Sequence, residues 1–479
     1  MGRGVQASYG LNLIITHVIV GLGVGGAELM LKRLIESHRS NLLFQHKIIS
    51  LTHLGVVGKQ LQAGGVDVQV MNMRSPLHFP AILWRLTRLL LQQKPDVIQT
   101  WMYHADLLGG LAARMAGIKN VIWGIRTTDA STGGSRATAG IRWLCARLSR
   151  WVPHTIVCAA EASRRVHVAL GYQADRTVVI PNGFDMARLQ ATLAQVAALR
   201  CECGFASDAL VFGTLGRFNA AKDPHNFVRA AGLLASKHTD VNFLMVGRDC
   251  DAANVQLMGW INATGCADRF VLLGERSDVP VCLAAMDVFC LSSCTEGFPN
   301  VVGEAMAMHK ACVVTDVGDA AYLLGKCGVV VPKEDSAALA EGMTQLADLS
   351  AAERALLGEQ AHARIASEFN MDRTRERFEA VYANVLSGQA PQRLSSRTEK
   401  FPNVVGEAMA MRKAYVATNV GNAAYLLGEC AVIVPKEDSV ALVEGMAQLA
   451  GLSAVERTLI GGQAHAHIAS EFTKDRTRQ

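Results

Sequence analysis

Residues 295–304 read TEGFPNVVGE, and the apolar run Val288–Leu291 precedes them. Gly297 and Pro299 mark a turn, and the apolar pattern resumes at Val301 with helical rather than alternating spacing. The stretch is therefore a buried strand that turns directly into a helix. In an open parallel sheet this is where ligands bind, because helix N-termini present free amides and partial positive charge to anions. Glu296 and Glu304 flank the turn, with Glu304 about one turn inside the helix. Carboxylates so placed suit hydrogen bonding to vicinal hydroxyls, as carried by ribose and hexoses.

The same unit recurs outward in both directions. Strands are expected at Ile14–Val20, His46–Leu51, Val66–Met71, Val97–Thr100, Val121–Gly124, Thr155–Cys158 and Thr177–Pro181. Helical patterns over Ala27–Glu36, Pro80–Gln92 and Asp106–Met115 lie between them. A second series of strands follows at Leu210–Gly216, Asn242–Val246, Phe270–Leu273, Val288–Leu291, Ala311–Thr315 and Val329–Val331. Strands alternating with helices give an α/β chain of parallel sheets. We place the first domain at residues 1–190, the second at 191–370, a helix at 371–386 crossing back to the first, and a polar linker at 387–397.

Beyond the linker, residues 398–479 repeat 295–376 at a constant offset of 103, with roughly three-quarters of the positions identical. Only two copies exist and the unit is partial, which excludes a solenoid. The repeat carries the glutamate pair again as Glu399 and Glu407, but Lys400 stands where the first copy has Gly297. It lacks a preceding strand and second copies of its neighbours, so its pair is expected to be inactive.

Two further loops bear on chemistry. Gly21, Gly23 and Gly26 in GLGVGGAE satisfy a GxGxxG pattern between a strand and a helix. A dinucleotide fold would then want an acidic residue at the end of the second strand. That strand ends Ser50-Leu51-Thr52-His53, so the nicotinamide reading loses its second element. A glycine loop letting a sugar or phosphate approach the backbone, or a structural tight turn, remains. In GTLGRFNAAKD, residues 213–223, Arg217 and Lys222 bracket a turn. Arg could grip a diphosphate through its planar fork and Lys as a point charge.

Charge is divided unevenly. Residues 1–190 hold 21 Lys/Arg against 9 Asp/Glu, and the remainder 26 against 33. The basic half suits an anionic partner such as phospholipid or lipid-linked phosphate, or is a solvated basic surface. Pro80–Gln92 and Arg142–Trp151 place tryptophans beside arginines, as helices resting in a lipid interface do; each alone reads better as an ordinary domain helix, and together with the basic half they favour peripheral membrane contact. The uncharged stretch Leu11–Ala27 is better read as a buried strand and glycine turn than as a membrane span. The twelve cysteines contain no CxxC pair, which speaks against a zinc site and for reduced thiols in a cytoplasmic protein.

GGAE near the start, IPNGFD at 180–185, GRF with KD at 216–223, VGRD at 246–249 and EGFPNVVGEAMA resemble, in order and spacing, the retaining glycosyltransferases of family four, the glycosyl transferases group 1. The resemblance covers about Ile14 to Leu386. It implies a GT-B fold, two Rossmann-like domains facing each other across a cleft, with the duplicated segment appended. It implies a metal-independent hexosyltransferase with no cofactor beyond its nucleotide-sugar donor, UDP-linked in preference to GDP-linked. The acceptor would be a glycan or a lipid-linked molecule in polysaccharide or glycoconjugate biosynthesis, with peripheral contact at the inner face of the cytoplasmic membrane and no nucleic acid partner.

Residue by residue, the resemblance gives Arg217 and Lys222 the donor diphosphate, Glu304 the ribose hydroxyls and Glu296 those of the transferred sugar. Phe298, Pro299, Asn300 and Val301 would face the donor, as would Gly247. Gly25 and Gly26 would close from the opposite domain, and the loop to Val279 would lie near the base. Many members carry a histidine after the strand matching Val121–Gly124. Here the stretch is WGIRTTDAS, so Arg126 or Asp129 occupies that neighbourhood. His104 in WMYHAD reads equally as structural or catalytic. The alternatives are a catalytically silent binding protein of the same fold, a phosphorylase or an epimerase.

Overall fold

β1 (Leu13–Ile19) is built from β-branched and aliphatic residues, and every residue from Ile15 to Ile19 is buried. A run buried on both faces belongs in the centre of a parallel sheet, and β1 indeed pairs on both sides. In this computed structural model the described residues are 13–389, apart from 40, 42, 76, 77, 129–135 and 207, together with the backbone of 416–418 and 432–434.

In chain order the first half runs β1, α1 (Gly26–Ser37), β2 (Phe44–Ser50), α2 (Gly55–Ala63), β3 (Asp67–Val70), α3 (Phe79–Gln93), β4 (Val97–Trp101), α4 (Tyr103–Met115), β5 (Val121–Ile125), α5 (Arg136–Leu148), β6 (Thr155–Cys158), α6 (Glu161–Ala169) and β7 (Thr177–Val179). Its seven parallel strands lie in the order β3-β2-β1-β4-β5-β6-β7. The second half runs α7 (Leu193–Glu202), β8 (Leu210–Leu215), α8 (Pro224–Ala235), β9 (Val241–Val246), α9 (Val255–Ala263), β10 (Phe270–Leu272), α10 (Val279–Ala285), β11 (Val288–Leu291), α11 (Asn300–Ala307), β12 (Ala311–Thr315), α12 (Ala320–Leu324), β13 (Gly328–Val331), α13 (Ser336–Ala347), α14 (Ala351–Glu368) and α15 (Met371–Leu386). Its six strands take the order β10-β9-β8-β11-β12-β13. The strand order reverses beside β1 in one sheet and beside β8 in the other, so each sheet opens a crevice at the carboxyl end of its central strands.

Both series of expected strands form. The ends differ by a residue or two, and α4 begins at Tyr103 rather than Asp106 because Met102 takes a positive φ of 74° to start it. The tryptophan-bearing helix α5 spans Arg136–Leu148 rather than Arg142–Trp151, and Trp151 lies in the turn beyond it.

The chain crosses between the sheets twice. Phe184 N donates to Phe369 O at 2.9 Å and Met371 N to Phe184 O at 3.0 Å, so the outgoing and returning segments form one small ladder. A Cβ on Gly183 would stand 2.8 Å from Met371 Cα, so only glycine lets the two segments close. α15 then lies on the first sheet, where Phe378, Val381, Tyr382 and Val385 share a core cluster with Ile15, Leu31, Leu34 and Trp101.

The chain divides into two compact units, residues 1–394 and 395–479. Within the second, strands β14 (Val416–Thr418) and β15 (Val432–Val434) pair in parallel, Val416 with Val432 and Thr418 with Val434. This is the register of Val313 with Val329 and Thr315 with Val331, 103 positions earlier. The repeated glutamates Glu399 and Glu407, and Lys400, lie outside the described residues.

Candidate active site

The site is assembled at the carboxyl ends of β8 and β11. After β8 the chain turns through Gly216 and Arg217 into a short 3-10 helix, Ala220–Lys222. Asn219 caps this turn by accepting from Lys222 N at 3.0 Å. Asp223, at φ 43°, then caps α8 by accepting from Asn226 N. Each short polar side chain satisfies an amide that a helix start leaves without a partner. Cys294 N donates to Ala221 O at 3.0 Å and Ser292 Oγ to Lys222 O at 2.9 Å, which laces the β11 loop onto this turn.

The lacing brings Lys222 Nζ to 2.5 Å from Glu296 Oε1, which also accepts from Ser293 Oγ at 2.7 Å. Arg217 lines the same pocket with Gly216, Lys222, Ser292 and Ser293, and its guanidinium has no hydrogen bond or ion pair among the described residues. Gly247 stands at φ 147°, and a Cβ there would lie 1.9 Å from Gly216 O. Its absence of a side chain is what allows the β8 and β9 loops to touch. Val279 begins α10 beside the Arg276–Asp278 ion pair of 2.7 Å.

Gly297, Phe298 and Pro299 lead into α11, whose N-cap Pro299 offers no capping side chain. The amides of Asn300 and Val301 have no partner among the described residues, so this end can receive an anion or a polar ligand. Phe298 and Val301 are buried and anchor the turn. Gly303 passes directly beneath the Phe184 ring, which would lie 2.0 Å from a Cβ at that position.

Besides Phe184, the opposite domain meets this helix through Gly26, Asn182 and Arg33. Gly26, at the start of α1, is placed so that a Cβ would lie 3.2 Å from Asn300 Nδ2; Gly25 is the N-cap beside it. Asn182 Nδ2 donates to Asn300 Oδ1 at 2.8 Å. Arg33 Nη2 donates to Glu304 Oε1 at 2.9 Å.

Arg126 is set one step further back. Its guanidinium stacks on Trp101 at 4.7 Å and on Phe378 at 5.6 Å, and Nη1 donates to Asn182 Oδ1 at 3.0 Å. Burial lowers its pKa to about 10, and Nε and Nη2 are enclosed without partners. Arg126 thus reaches the donor helix through Asn182 and Asn300. His104 sits at the start of α4, half-buried, with its pKa lowered by burial. Asp129 lies outside the described residues.

Arg33, Asn182 and Ser293 escaped sequence reasoning as site residues. IPNG marked Asn182 as part of a turn, but nothing near Arg33 distinguishes it from the other cations of the basic half.

Three comparisons place this geometry. The family model described as Glycosyltransferase Family 4 matches residues 24–188. The model described as Glycosyl transferases group 1 matches 209–348 and 375–451. Among characterised sequences, the UDP-Gal:alpha-D-GlcNAc-diphosphoundecaprenol alpha-1,3-galactosyltransferase of Escherichia coli is 27% identical over 48% of this chain and 60% of its own length. The lipopolysaccharide core biosynthesis mannosyltransferase LpcC of Rhizobium leguminosarum bv. viciae is 26% identical over 67% of this chain and 89% of its own. The crystal structure of Anabaena Alr3699/HepE in complex with UDP and glucose superposes with a TM-score of 0.67, at 20% identity, over 78% of this chain and all of that one. With its two parallel sheets and its paired family matches, the chain belongs to glycosyltransferase family 4 and has the GT-B fold.

Proposed function

We propose that this glycosyltransferase moves a hexose from a UDP-sugar onto a lipid-linked or glycan acceptor in glycoconjugate biosynthesis, with retention of anomeric configuration and without a metal ion. The observation that carries this reading is the 2.5 Å contact between Lys222 and Glu296. A cation suited to a phosphate and a carboxylate suited to sugar hydroxyls meet at one point. In a nucleotide-sugar the anomeric carbon joins the diphosphate to the hydroxyl-bearing ring, so a site for it needs both kinds of group side by side.

The diphosphate would rest against Arg217, Lys222 and the amides of Asn300 and Val301. As the bond from the anomeric carbon to the phosphate oxygen breaks, negative charge grows on the diphosphate, where these fixed donors act most strongly. The acceptor oxygen bonds to the anomeric carbon on the same face, and its proton passes to the departing phosphate oxygen. Glu296 would hold the sugar hydroxyls, with Ser293 and Lys222 fixing its carboxylate. Apposition of the two domains excludes water, which would otherwise hydrolyse the donor. The E. coli and Anabaena relatives, whose names carry UDP-Gal and UDP, favour uridine.

A lipid-linked acceptor agrees with the outer face of the first domain. Trp84 on α3, Trp143 on α5 and Trp151 in the turn beyond α5 are 59%, 59% and 66% exposed. Arg88 lies over the Trp84 ring at 5.5 Å and Arg147 over Trp143 at 5.2 Å. Exposed indole rings paired with cations suit the headgroup region of an anionic bilayer. Among the described residues no helix is long and apolar enough to cross a membrane. The contact proposed is peripheral, at the inner face of the cytoplasmic membrane.

The test is a thermal-shift panel with UDP, GDP, ADP and NAD, with and without EDTA. Stabilisation by UDP, unaffected by EDTA and lost in Arg217→Ala/Lys222→Ala, supports the reading. At a hundredfold excess over Kd the stabilisation is about 2.7 kcal/mol. A protein that melts cooperatively with no nucleotide response would instead be a silent relative. The anomeric configuration of the product, read by NMR, decides retention.

A further inference from the structure

Arg33 reaches out of the first domain into the donor half of the site. It stands on α1, about two turns beyond Gly26, the last glycine of the loop. Its Nη2 donates to Glu304 Oε1 at 2.9 Å, and its Nη1 faces Gly183 O at 3.4 Å. Both side chains of the ion pair are largely shielded, Arg33 at 19% and Glu304 at 15% exposure. A pair so sheltered is held more firmly than one on an open surface, where long side chains move freely.

The second anchor matters as much as the first. Gly183 belongs to the outgoing crossing, wedged against Met371 and Thr374. The guanidinium is therefore pinned between the crossing and the carboxylate. With one carboxylate oxygen committed to Arg33, the rotation of Glu304 about its terminal bonds is restricted, and Oε2 accepts no hydrogen bond among the described residues. Asn182 grips the same helix one turn earlier, through Asn300 at 2.8 Å. Two residues of the first domain thus fix the helix that carries the carboxylate.

We infer that Arg33 is a positioning residue for ribose recognition: it orients Glu304, so that selection for the nucleotide's hydroxyls depends on the two domains being together. The inference rests on Glu304 as the ribose-binding carboxylate. It adds that this selectivity is controlled from the opposite domain, by a residue that touches no part of the donor.

The experiment compares UDP with 2′-deoxy-UDP by calorimetry in the wild type, Arg33→Met, Arg33→Lys and Glu304→Ala. A hydroxyl bonded to an oriented carboxylate favours UDP by about tenfold or more. Arg33→Met should bring the two affinities to within about twofold, and Arg33→Lys, which keeps a cation within reach, should recover part of the preference. A purely structural ion pair predicts otherwise: both nucleotides weaken equally in Arg33→Met and the ratio survives, which overturns the inference. Glu304→Ala separates the two claims. If it removes the preference and Arg33→Met does not, the inference alone fails. If it leaves the preference intact, or if the wild type does not bind UDP, the ribose assignment fails and the inference with it. Cooperative melting of Arg33→Lys guards against misreading an unfolded variant.

Discussion

Asp319 caps a helix that begins 158 residues before it: its Oδ2 accepts from Glu161 N at 2.7 Å and its Oδ1 from Ala162 N at 2.9 Å. Asp319 follows β12 in the second domain, whereas Glu161 opens α6 in the first. The preceding Gly318, at φ 57°, would bring a Cβ within 2.4 Å of Glu296 O and Gly297 O, and Asp319 N donates to Gly297 O at 3.0 Å. The loop that fastens the domains is thus packed directly against the turn that presents Glu296.

Removal of this cap should loosen both stability and the site. Asp319→Ala should cost about 1–2 kcal/mol in urea unfolding, the range for a lost N-cap. It should also raise the KM for donor, because the Glu296–Gly297 turn loses its brace. Unchanged unfolding would show that the two amides find water or another acceptor at no cost.

Lys222 and Glu296 should be separable by kinetics. Lys222→Met removes a charge that acts on the departing diphosphate, and kcat should fall by about 10²–10³. Glu296→Gln keeps the shape and loses the anion that accepts from sugar hydroxyls, so its larger effect should fall on the nucleotide-sugar rather than on free UDP. Equal weakening of both ligands by Glu296→Gln would contradict its assignment to the sugar.

Three histidines give the fold an acid limit. His17 Nε2 lies 2.9 Å from His46 Nδ1, and the His38 and His46 ring centroids are 4.9 Å apart. Burial lowers His46 to about 3 and His38 to about 4, and sets His17 well below its ordinary value. Around them stand Trp101, Phe44, and from α15 Glu379 and Arg375. In the unfolded chain these groups take up protons near pH 6.5, while in the folded protein they stay neutral. Stability therefore falls as pH drops below 6.5, by about 1.4 kcal/mol per unit for each histidine.

Asp106 works in the opposite direction. Burial raises it to about 8, so acidification from pH 8 downward relieves a penalty. These four groups together set an expected loss of about 3 kcal/mol per unit from pH 6.5 towards pH 4, measured as the urea midpoint. His46→Gln should flatten that slope by about half; a slope unaltered by the change would mean that the histidines are reached by water.

The exposed tryptophans should govern lipid partition. Trp84→Ala/Trp143→Ala/Trp151→Ala should reduce sedimentation with vesicles containing anionic lipid by about tenfold or more, given the apolar area each ring can bury. UDP binding should be unchanged, because none of the three tryptophans lines the pocket that holds Arg217 and Lys222. Equal sedimentation of the two proteins would remove this face as the lipid contact.

Much of this molecule is legible in one dimension. The alternation of apolar strands with helical patterns sets the two parallel sheets, because strands buried on both faces need helices to cover them. The turn after β8 and the turn before α11 are likewise written locally: Asn219, Asp223 and Pro299 stand where helix starts need short polar caps or a fixed φ. Arg217, Lys222, Glu296 and Glu304 were therefore nameable from type and spacing.

Their partners were not, because pairing across a cleft leaves no periodic trace in the chain. Arg33 and Glu304 are 271 positions apart, and Asn182 and Asn300 118. Arg126 shows the same limit from the other side. The resemblance put Arg126 or Asp129 in the neighbourhood of the family's histidine, but only the packing of Trp101 and Phe378 decides that the Arg126 guanidinium is enclosed and bonds to Asn182. Sequence determines which side chains each strand end presents, since that depends on local backbone preference. Which of them meet is decided by the apposition of two sheets, a sum of many weak contacts to which no single residue holds the key.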